Sequence, residues 1–291
     1  MAAPTFAQGA GPPAAQASPT APTAGLAGRY PGEELIDIGG RKLQLVRRGQ
    51  GSPTVVFEDG LGASMGGLLR FVPRVAEYTS AVIYSRAGNG PSDPAPGPRD
   101  AAAVADDLRT MLARAGCKGP YVLVGYSVGA LYVRAFAMKF PGAVGGLVLI
   151  EGTPERYLLD LQQIDPKGAA REFTELARSD AAGFAELKDS PGARGEWEGL
   201  YQILMAGELG VRGSLPDVPL VVISGVRPEG DGALAARIAK MKREEHAAVF
   251  QSASHGMHIV TARSGHDVME REPDLVANAI KWVVDEARKP R

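Results

Sequence analysis

Apolar residues along this chain follow two rhythms. Short runs that are apolar at nearly every position alternate with longer segments in which apolar residues recur every three or four positions. The short runs are "TVVFEDG", "AVIYSRAG", "YVLVGY", "GGLVLIEG", "VPLVVISG" and "HIVTARSG", and they predict strands. "DAAAVADDLRTMLARAG" is of the second kind. Asp100 stands at its cap, Val104, Leu108, Met111 and Leu112 form its stripe, and Gly116 is its stop. Helices are also predicted for "GGLLRFVPRVAEY", from Val128 to about Met138, for "ALAARIAKMKREEHAAVF" and for "EPDLVANAIKWVVDEARK". "ELIDIGGRKLQLVRRG" reads as a hairpin turning at Gly39-Gly40. Strands without a polar face are buried on both sides. Alternation with helices therefore predicts an α/β fold, a mostly parallel sheet flanked by helices.

One segment breaks the rhythm. More than 60 residues separate the strand ending at Glu151 from the strand starting near Pro219. They include "TELARSDAAGFAELKD" and "EWEGLYQILMAGELG", both of helical period, whereas a simple crossover needs far fewer residues. The expected organisation is a core of residues 29–151 and 216–291 with an inserted helical cap over 152–215. Residues 1–28 are nearly all Ala, Pro, Gly, Thr, Ser and Gln, and predict a disordered arm. The arm has no charged n-region and no apolar h-region. "TFAQ" is similar to the stub left after a removed signal peptide, so cytoplasmic and exported locations both stay open.

Composition narrows the partners. The chain is 45% hydrophobic and 22% charged with a formal net charge of -1, which gives no indication of nucleic acid binding. No apolar run reaches 18 residues, so no membrane span is expected. Cys117 is the only cysteine, which excludes an intramolecular disulfide. His255 and His258 have a His-x-x-His spacing but no third ligand candidate beside them, so no metal is expected. The partner implied is a small molecule, with no cofactor.

Candidate chemistry centres on Gly125-Tyr126-Ser127-Val128-Gly129. It is a Gly-x-Ser-x-Gly pattern between a predicted strand and a predicted helix. A sharp turn there exposes the serine hydroxyl, and the helix starting at Val128 aims free N–H groups at the same spot. With this motif stand two others, "FEDGLGAS" followed by "YSRAGNGPSD", and "SGHDVMEREPDLVANAI". Together they resemble the α/β-hydrolase superfamily, of capped serine hydrolase and esterase type, from about residue 33 to 288. The resemblance makes Ser127 the nucleophile. It makes the second motif the oxyanion loop and the Asp-Arg-x-Gly-x-Gly-x-Ser loop, with Ser85 in place of the usual Asp. Asp59-Gly60 replaces the frequent His-Gly, and Asp59 is expected to point away from a developing oxyanion. Haloalkane dehalogenases and epoxide hydrolases of the superfamily carry Asp where this chain has Ser127.

A serine needs a base within hydrogen-bond reach. Among four histidines only His266 directly follows the last predicted strand, at the sheet end that also carries Ser127, and Gly265-His266 matches the superfamily's Gly-His loop. The acid has three candidates. Glu151 stands directly at a strand end, a position resembling the one used in some haloalkane dehalogenases. Glu229 and Asp231 follow the next strand, the usual superfamily location. Glu151 is preferred. The oxyanion donors are assigned to the backbone N–H groups of Leu61 and Val128. Met65, Leu68, Tyr157, Leu161, Trp197 and Tyr201 are pocket candidates, although such residues also serve as packing. The expected function is cleavage of carboxylic esters, or of lactones or small amides, through an acyl-enzyme. An acyltransferase with the same triad and a catalytically silent ligand-binding protein are the alternatives.

Overall fold

The computed structural model describes residues 30–63, 65, 67–171 and 191–290. The arm over 1–28 and the helical segment read over 174–189 lie outside the described residues. The elements run in the order β1 (Glu33–Asp37), β2 (Lys42–Arg48), β3 (Thr54–Glu58), α1 (Val72–Ala76), β4 (Ala81–Tyr84), α2 (Ala101–Arg114), β5 (Tyr121–Tyr126), α3 (Val128–Lys139) and β6 (Val144–Ile150). They continue with α4 (Tyr157–Ile164), α5 (Pro191–Ala206), β7 (Leu220–Gly225), α6 (Gly232–Gln251), β8 (Gly256–Thr261), α7 (Val268–Arg271) and α8 (Pro273–Ala287).

The strands form one sheet in the order β1-β2-β4-β3-β5-β6-β7-β8. Only the β1–β2 and β2–β4 pairs are antiparallel. From β4 through β8 the neighbours are parallel, so these strands need crossover connections, and their carboxyl ends share one edge. The hairpin turns at Gly39 and Gly40, whose N–H groups both donate to Asp37 Oδ1.

The uniformly apolar strands follow from two cores. On β5, Val122 and Val124 face a layer made with α1, α7 and α8, where Val276, Ile280, Val283 and Val284 are buried. Leu123, between them, faces a layer made with α2 and α3, where Leu108, Met111, Leu112, Val133 and Phe136 are buried. Each such side chain contributes about 1.5–3 kcal/mol on full burial, so both faces demand apolar residues. The stripe predicted for α2 is this buried face, and Asp100 caps the helix by accepting from the Ala103 N–H at 2.8 Å. The segment "GGLLRFVPRVAEY" is a 3₁₀ turn over Gly67–Phe71 followed by the short α1, rather than one continuous helix. Pro73 sits in the first turn of α1, where its missing N–H is harmless but where it prevents extension backwards.

The chain between β6 and β7 leaves the sheet and carries α4 and α5. Leu158, Leu200, Ile203, Leu204 and Leu209 pack with Val104 of α2 and with Val128, Leu131 and Tyr132 of α3. α4 and α5 thus rest on α2 and α3.

That turn is set by close approach. A Cβ at Gly129 would sit 2.1 Å from the Glu58 carbonyl oxygen, and one at Gly125 would sit 2.6 Å from the Gly129 oxygen. Gly142 lies on an open turn with no atom within 4 Å of such a Cβ. Gly129→Ala is therefore expected to lower the free energy of unfolding by about 2–3 kcal/mol in urea titrations, as forced overpacking does. Gly142→Ala should change it by less than about 0.5 kcal/mol. Equal stabilities for the two variants would contradict the packing described.

Candidate active site

Ser127 occupies the residue between β5 and α3 with φ 54° and ψ -124°. Side chains with a Cβ avoid this region at a cost on the order of 1–3 kcal/mol. The turn is held on both sides. The Ser127 N–H donates to the Ile150 carbonyl at 3.1 Å, and its own carbonyl accepts from Ala130 and Thr153, each at 3.1 Å. A serine at a helix N-cap ordinarily accepts a backbone N–H with its hydroxyl. Ser127 makes no such side-chain bond, so its oxygen stays available at the positive end of α3.

His266 lies in the loop between β8 and α7, at the carboxyl edge of the sheet. Its ring stacks on Tyr126 with centroids 5.0 Å apart, and the Tyr126 hydroxyl donates to the His266 carbonyl at 2.9 Å. The loop is pinned further. Ser264 and Thr261 hydroxyls both donate to Glu272 Oε2, at 2.5 and 2.7 Å, and the Gly265 N–H donates to Asp267 Oδ1 at 3.0 Å.

Glu151 follows β6 and takes a left-handed conformation with φ 44°. This turns its buried carboxylate toward the histidine. Oε2 lies 3.5 Å from His266 Nδ1 and 3.7 Å from Lys242 Nζ, while Oε1 accepts the Gly225 N–H at 2.6 Å. The contact to Nδ1 is longer than a good hydrogen bond, and Nδ1, itself buried, has no other partner among the described residues. Burial pushes the Glu151 carboxyl up, but His266, Lys242, His246 and the Gly225 N–H outweigh it and hold the group below its usual range. The other acid candidates stand elsewhere. Glu229 is exposed and accepts from Lys242 at 3.0 Å, and Asp231 is exposed at the start of α6.

The remaining histidines have other neighbours. His246 is buried in α6, with Nε2 2.6 Å from the Gly152 carbonyl and Nδ1 2.7 Å from Ser224 Oγ. A carbonyl only accepts, so Nε2 carries the proton and Ser224 donates to Nδ1. Ser224 then accepts from His258 Nε2 at 2.9 Å. Burial holds His246 below its usual value, consistent with this neutral form. His255 stacks on Trp282 and faces Glu286.

The loop after β3 borders the serine. A Cβ at Gly60 would lie 3.7 Å from that of Ser127. Asp59 turns away from the serine side, accepting from its neighbour Gly60 N–H at 2.7 Å and from Leu68 N–H at 3.2 Å. Arg86 donates to the Asp59 carbonyl at 2.7 Å and to the Gly60 carbonyl. In a trans peptide the N–H points opposite to the carbonyl, so gripping the Gly60 oxygen turns the Leu61 N–H away from Arg86. That N–H has no partner among the described residues. Val128 opens α3, where an N–H has no intrahelical acceptor. The Ser85 hydroxyl, where the superfamily has Asp, donates to Gln44 Oε1 at 2.7 Å, and the Ser85 backbone carbonyl accepts the Ser92 hydroxyl at 2.7 Å, which supplies a different polar support.

The pocket candidates divide. Met65 and Leu68 are buried in the core with Phe57 and Phe71, and Leu161 is buried on α4. Helical spacing marks an apolar face without saying what covers it, and here all three are buried. Tyr157, Trp197 and Tyr201 are only partly buried. Leu61, at the serine loop, has an exposed side chain. Lys242, Arg86 and Glu196 are polar residues of the site region that sequence reasoning missed. Glu196 is 110 positions from Arg86, and Glu151 is about 90 from Lys242; Arg86 lies in the "YSRAGNGPSD" motif, but no local pattern announces the partners of these residues. Among the described residues no group of three or more His, Cys, Asp or Glu could hold a metal ion, and no helix is long and apolar enough to cross a membrane.

This arrangement has counterparts. The chain belongs to the alpha/beta hydrolase family, whose sequence profile matches residues 60–279. It is a hydrolase-family chain with the eight-stranded, mostly parallel sheet of its solved relatives. A thermophilic esterase from Thermogutta terrifontis is similar in structure, with a TM-score of 0.60 at 19% identity, covering 88% of this chain and 99% of that one. An epoxide hydrolase from Bacillus megaterium superposes with a TM-score of 0.66 at 14% identity, covering 87% and 100%. At these identities the likeness concerns the fold alone. The protein YbdG of Bacillus subtilis is 27% identical over 130 residues, 43% of this chain. The chain spans well under half the length of the first curated relatives it matches, 39% in the case of YbdG.

A carboxyl held below its usual value stabilises the fold above the unfolded-state pKa, near 4.5, and loses that contribution as pH falls through the folded value. The urea midpoint of Glu151→Gln should therefore fall less between about pH 5 and about pH 3 than that of the unmodified chain. Parallel profiles would show that the charge of Glu151 is not favoured by folding.

Proposed function

We propose that the protein is a serine hydrolase that cleaves carboxylic esters through an acyl-enzyme, with Ser127, His266 and Glu151 as its triad. One observation carries the reading. The Ser127 hydroxyl, left without a capping bond on a strained strand-to-helix turn, shares the carboxyl edge of the sheet with a histidine whose Nδ1 meets only a buried carboxylate.

His266 takes the hydroxyl proton as Ser127 Oγ adds to the acyl carbon. The tetrahedral oxyanion accepts from the Leu61 and Val128 N–H groups, prealigned where negative charge develops. Collapse expels the alcohol, which receives the proton from His266, and leaves the acyl group on Ser127. Water then adds to the acyl carbon with His266 again as base, and the acid leaves. Glu151 fixes the imidazole tautomer and stabilises the imidazolium. Within residues 152–215, the described helices α4 and α5 act as a cap over this edge. Tyr157, Trp197 and Tyr201, partly exposed on it, together with Leu61, line the acyl or alcohol pocket. The sequence of steps needs no cofactor. Lactones and small amides fit the same steps, as does transfer of the acyl group to an acceptor other than water.

Ser127→Ala is expected to lower kcat for a p-nitrophenyl ester by roughly 10⁴- to 10⁶-fold with the fold intact, because nucleophile and base act as a unit. A serine-directed phosphonate should add mass to Ser127. Activity within tenfold of the unmodified chain would rule the reading out. Glu151→Gln keeps size but removes the charge behind His266, and should cost on the order of 10⁴-fold in kcat. Asp231→Asn and Glu229→Gln should each cost less than about tenfold. The reverse order would move the acid to the loop after β7.

A further inference from the structure

The insert contributes a charged group to the interior. Glu196 of α5 is fully buried, as is Glu58 at the end of β3, and Arg86 between them is 4% exposed. A guanidinium has five N–H donors, and all five are used here. Nε donates to Glu196 Oε1 at 2.7 Å, and one terminal nitrogen donates to Glu58 Oε1 and the Asp59 carbonyl, both at 2.7 Å. The other terminal nitrogen donates to Glu196 Oε2 at 2.7 Å and to the Gly60 carbonyl. Glu196 Oε2 also accepts the Gly62 N–H at 2.9 Å, and Oε1 accepts from the Asn89 amide. The Arg86 guanidinium lies 5.2 Å from the centre of the Tyr132 ring.

Two features of this knot are unnecessary for merely fastening a helix. First, Glu196 reaches past Arg86 to a backbone N–H of the loop beside the serine. Second, the bidentate grip fixes the plane of the guanidinium, and that plane decides where the Asp59 and Gly60 carbonyls point. With the Gly60 oxygen held on one side of Leu61 and the Gly62 N–H held on the other, the intervening Leu61 N–H has one orientation left. The Gly62 N–H is withdrawn from use, so the loop offers a single donor.

We propose that Glu196 is a positioning residue for the oxyanion loop, so that the inserted helix completes the orientation of the Leu61 N–H through Arg86 and Gly62. This rests on the reading of that N–H as an oxyanion donor. Removing the charge at 196 leaves Glu58 as the one carboxylate on Arg86 and frees the Gly62 N–H; the Gly60 carbonyl keeps Arg86 and the Ala63 N–H at 3.3 Å, but without the bidentate grip on the guanidinium plane the Leu61 peptide gains freedom to tilt. The loss then falls on the transition state, in which the oxyanion exists, and not on binding of the planar ester.

The test uses the full chain and p-nitrophenyl butyrate. Glu196→Gln is expected to lower kcat by about 10- to 100-fold with KM within about threefold, less than full deletion of an oxyanion donor. Inhibition by an aryl trifluoromethyl ketone, whose adduct with Ser127 carries the oxyanion, should weaken by a similar factor. A residue that only fastens the insert would shift KM and thermal stability and leave kcat unchanged, and that result overturns the proposal. Glu196→Asp retains the charge but withdraws it by one methylene, and should fall between the two in kcat. In the unmodified protein, the Gly62 amide should exchange with solvent deuterium at least about 100-fold more slowly than the Leu61 amide. Equal exchange overturns the proposal even if both variants fail to fold. Absence of Ser127-dependent turnover in the unmodified chain would instead overturn the ester-hydrolase reading itself.

Discussion

The whole arrangement depends on how closely α3 passes the end of β3. The Gly129 backbone meets the Glu58 carbonyl where a Cβ would have only 2.1 Å, and the Gly125 backbone meets α3 in the same way. That contact forces Ser127 into a left-handed turn, which lifts its hydroxyl clear of the helix it would otherwise cap. It also brings the loop after β3 alongside the serine. One packing constraint thus brings Ser127 and the loop after β3 together, and the side chains of Arg86 and Glu196 then hold the backbone of that loop. Rigid elements on both sides keep the geometry tighter than a loop alone would.

Around this contact the polar groups fall into two buried sets that do different work. Glu151 sits among groups that favour its charge, the His266 ring, Lys242 and the Gly225 N–H. Arg86 sits among acceptors that use every proton it has. Burying such charges costs several kcal/mol each unless geometry and hydrogen bonding compensate. Burial pushes the Glu58 carboxyl up against the opposing pull of Arg86 and of the Tyr84 hydroxyl, which shows the tension in the second set.

Much of this was legible in the chain. The two-faced burial of the sheet showed in strands such as "YVLVGY", because strand period and burial are local properties. The elbow was legible because Gly125, Ser127 and Gly129 lie within five residues of one another, and His266 because it follows a strand at the same sheet edge. Position along a strand also singled out Glu151, although only coordinates could separate it from Glu229 and Asp231 as a neighbour of the ring. What could not be read was distant or directional. Glu196 and Arg86 are 110 residues apart, α4 is too short for a clear period, and Met65 and Leu68 gave no sign of which way their apolar faces turned. Pro73 broke a predicted helix into a 3₁₀ turn and a single α-helical turn, a boundary that periodicity alone overlooks.

The position of Glu151 has a consequence for the opposite side of the edge. Because the carboxylate facing His266 leaves from β6, the loop after β7 carries no partner for the ring. Its backbone matters to the histidine loop only as far as Arg227, whose N–H donates to the Ser264 carbonyl and whose own carbonyl lies where a Cβ at Gly265 would have just 2.4 Å. Beyond it, Pro228 to Asp231 are exposed and precede a helix that starts afresh at Gly232. Among the described residues, the one side-chain link from this stretch back toward the site is Glu229, whose pairing with Lys242 at 3.0 Å couples an exposed loop to the carboxylate facing His266, so changes in loop length here act on the site through that one lysine.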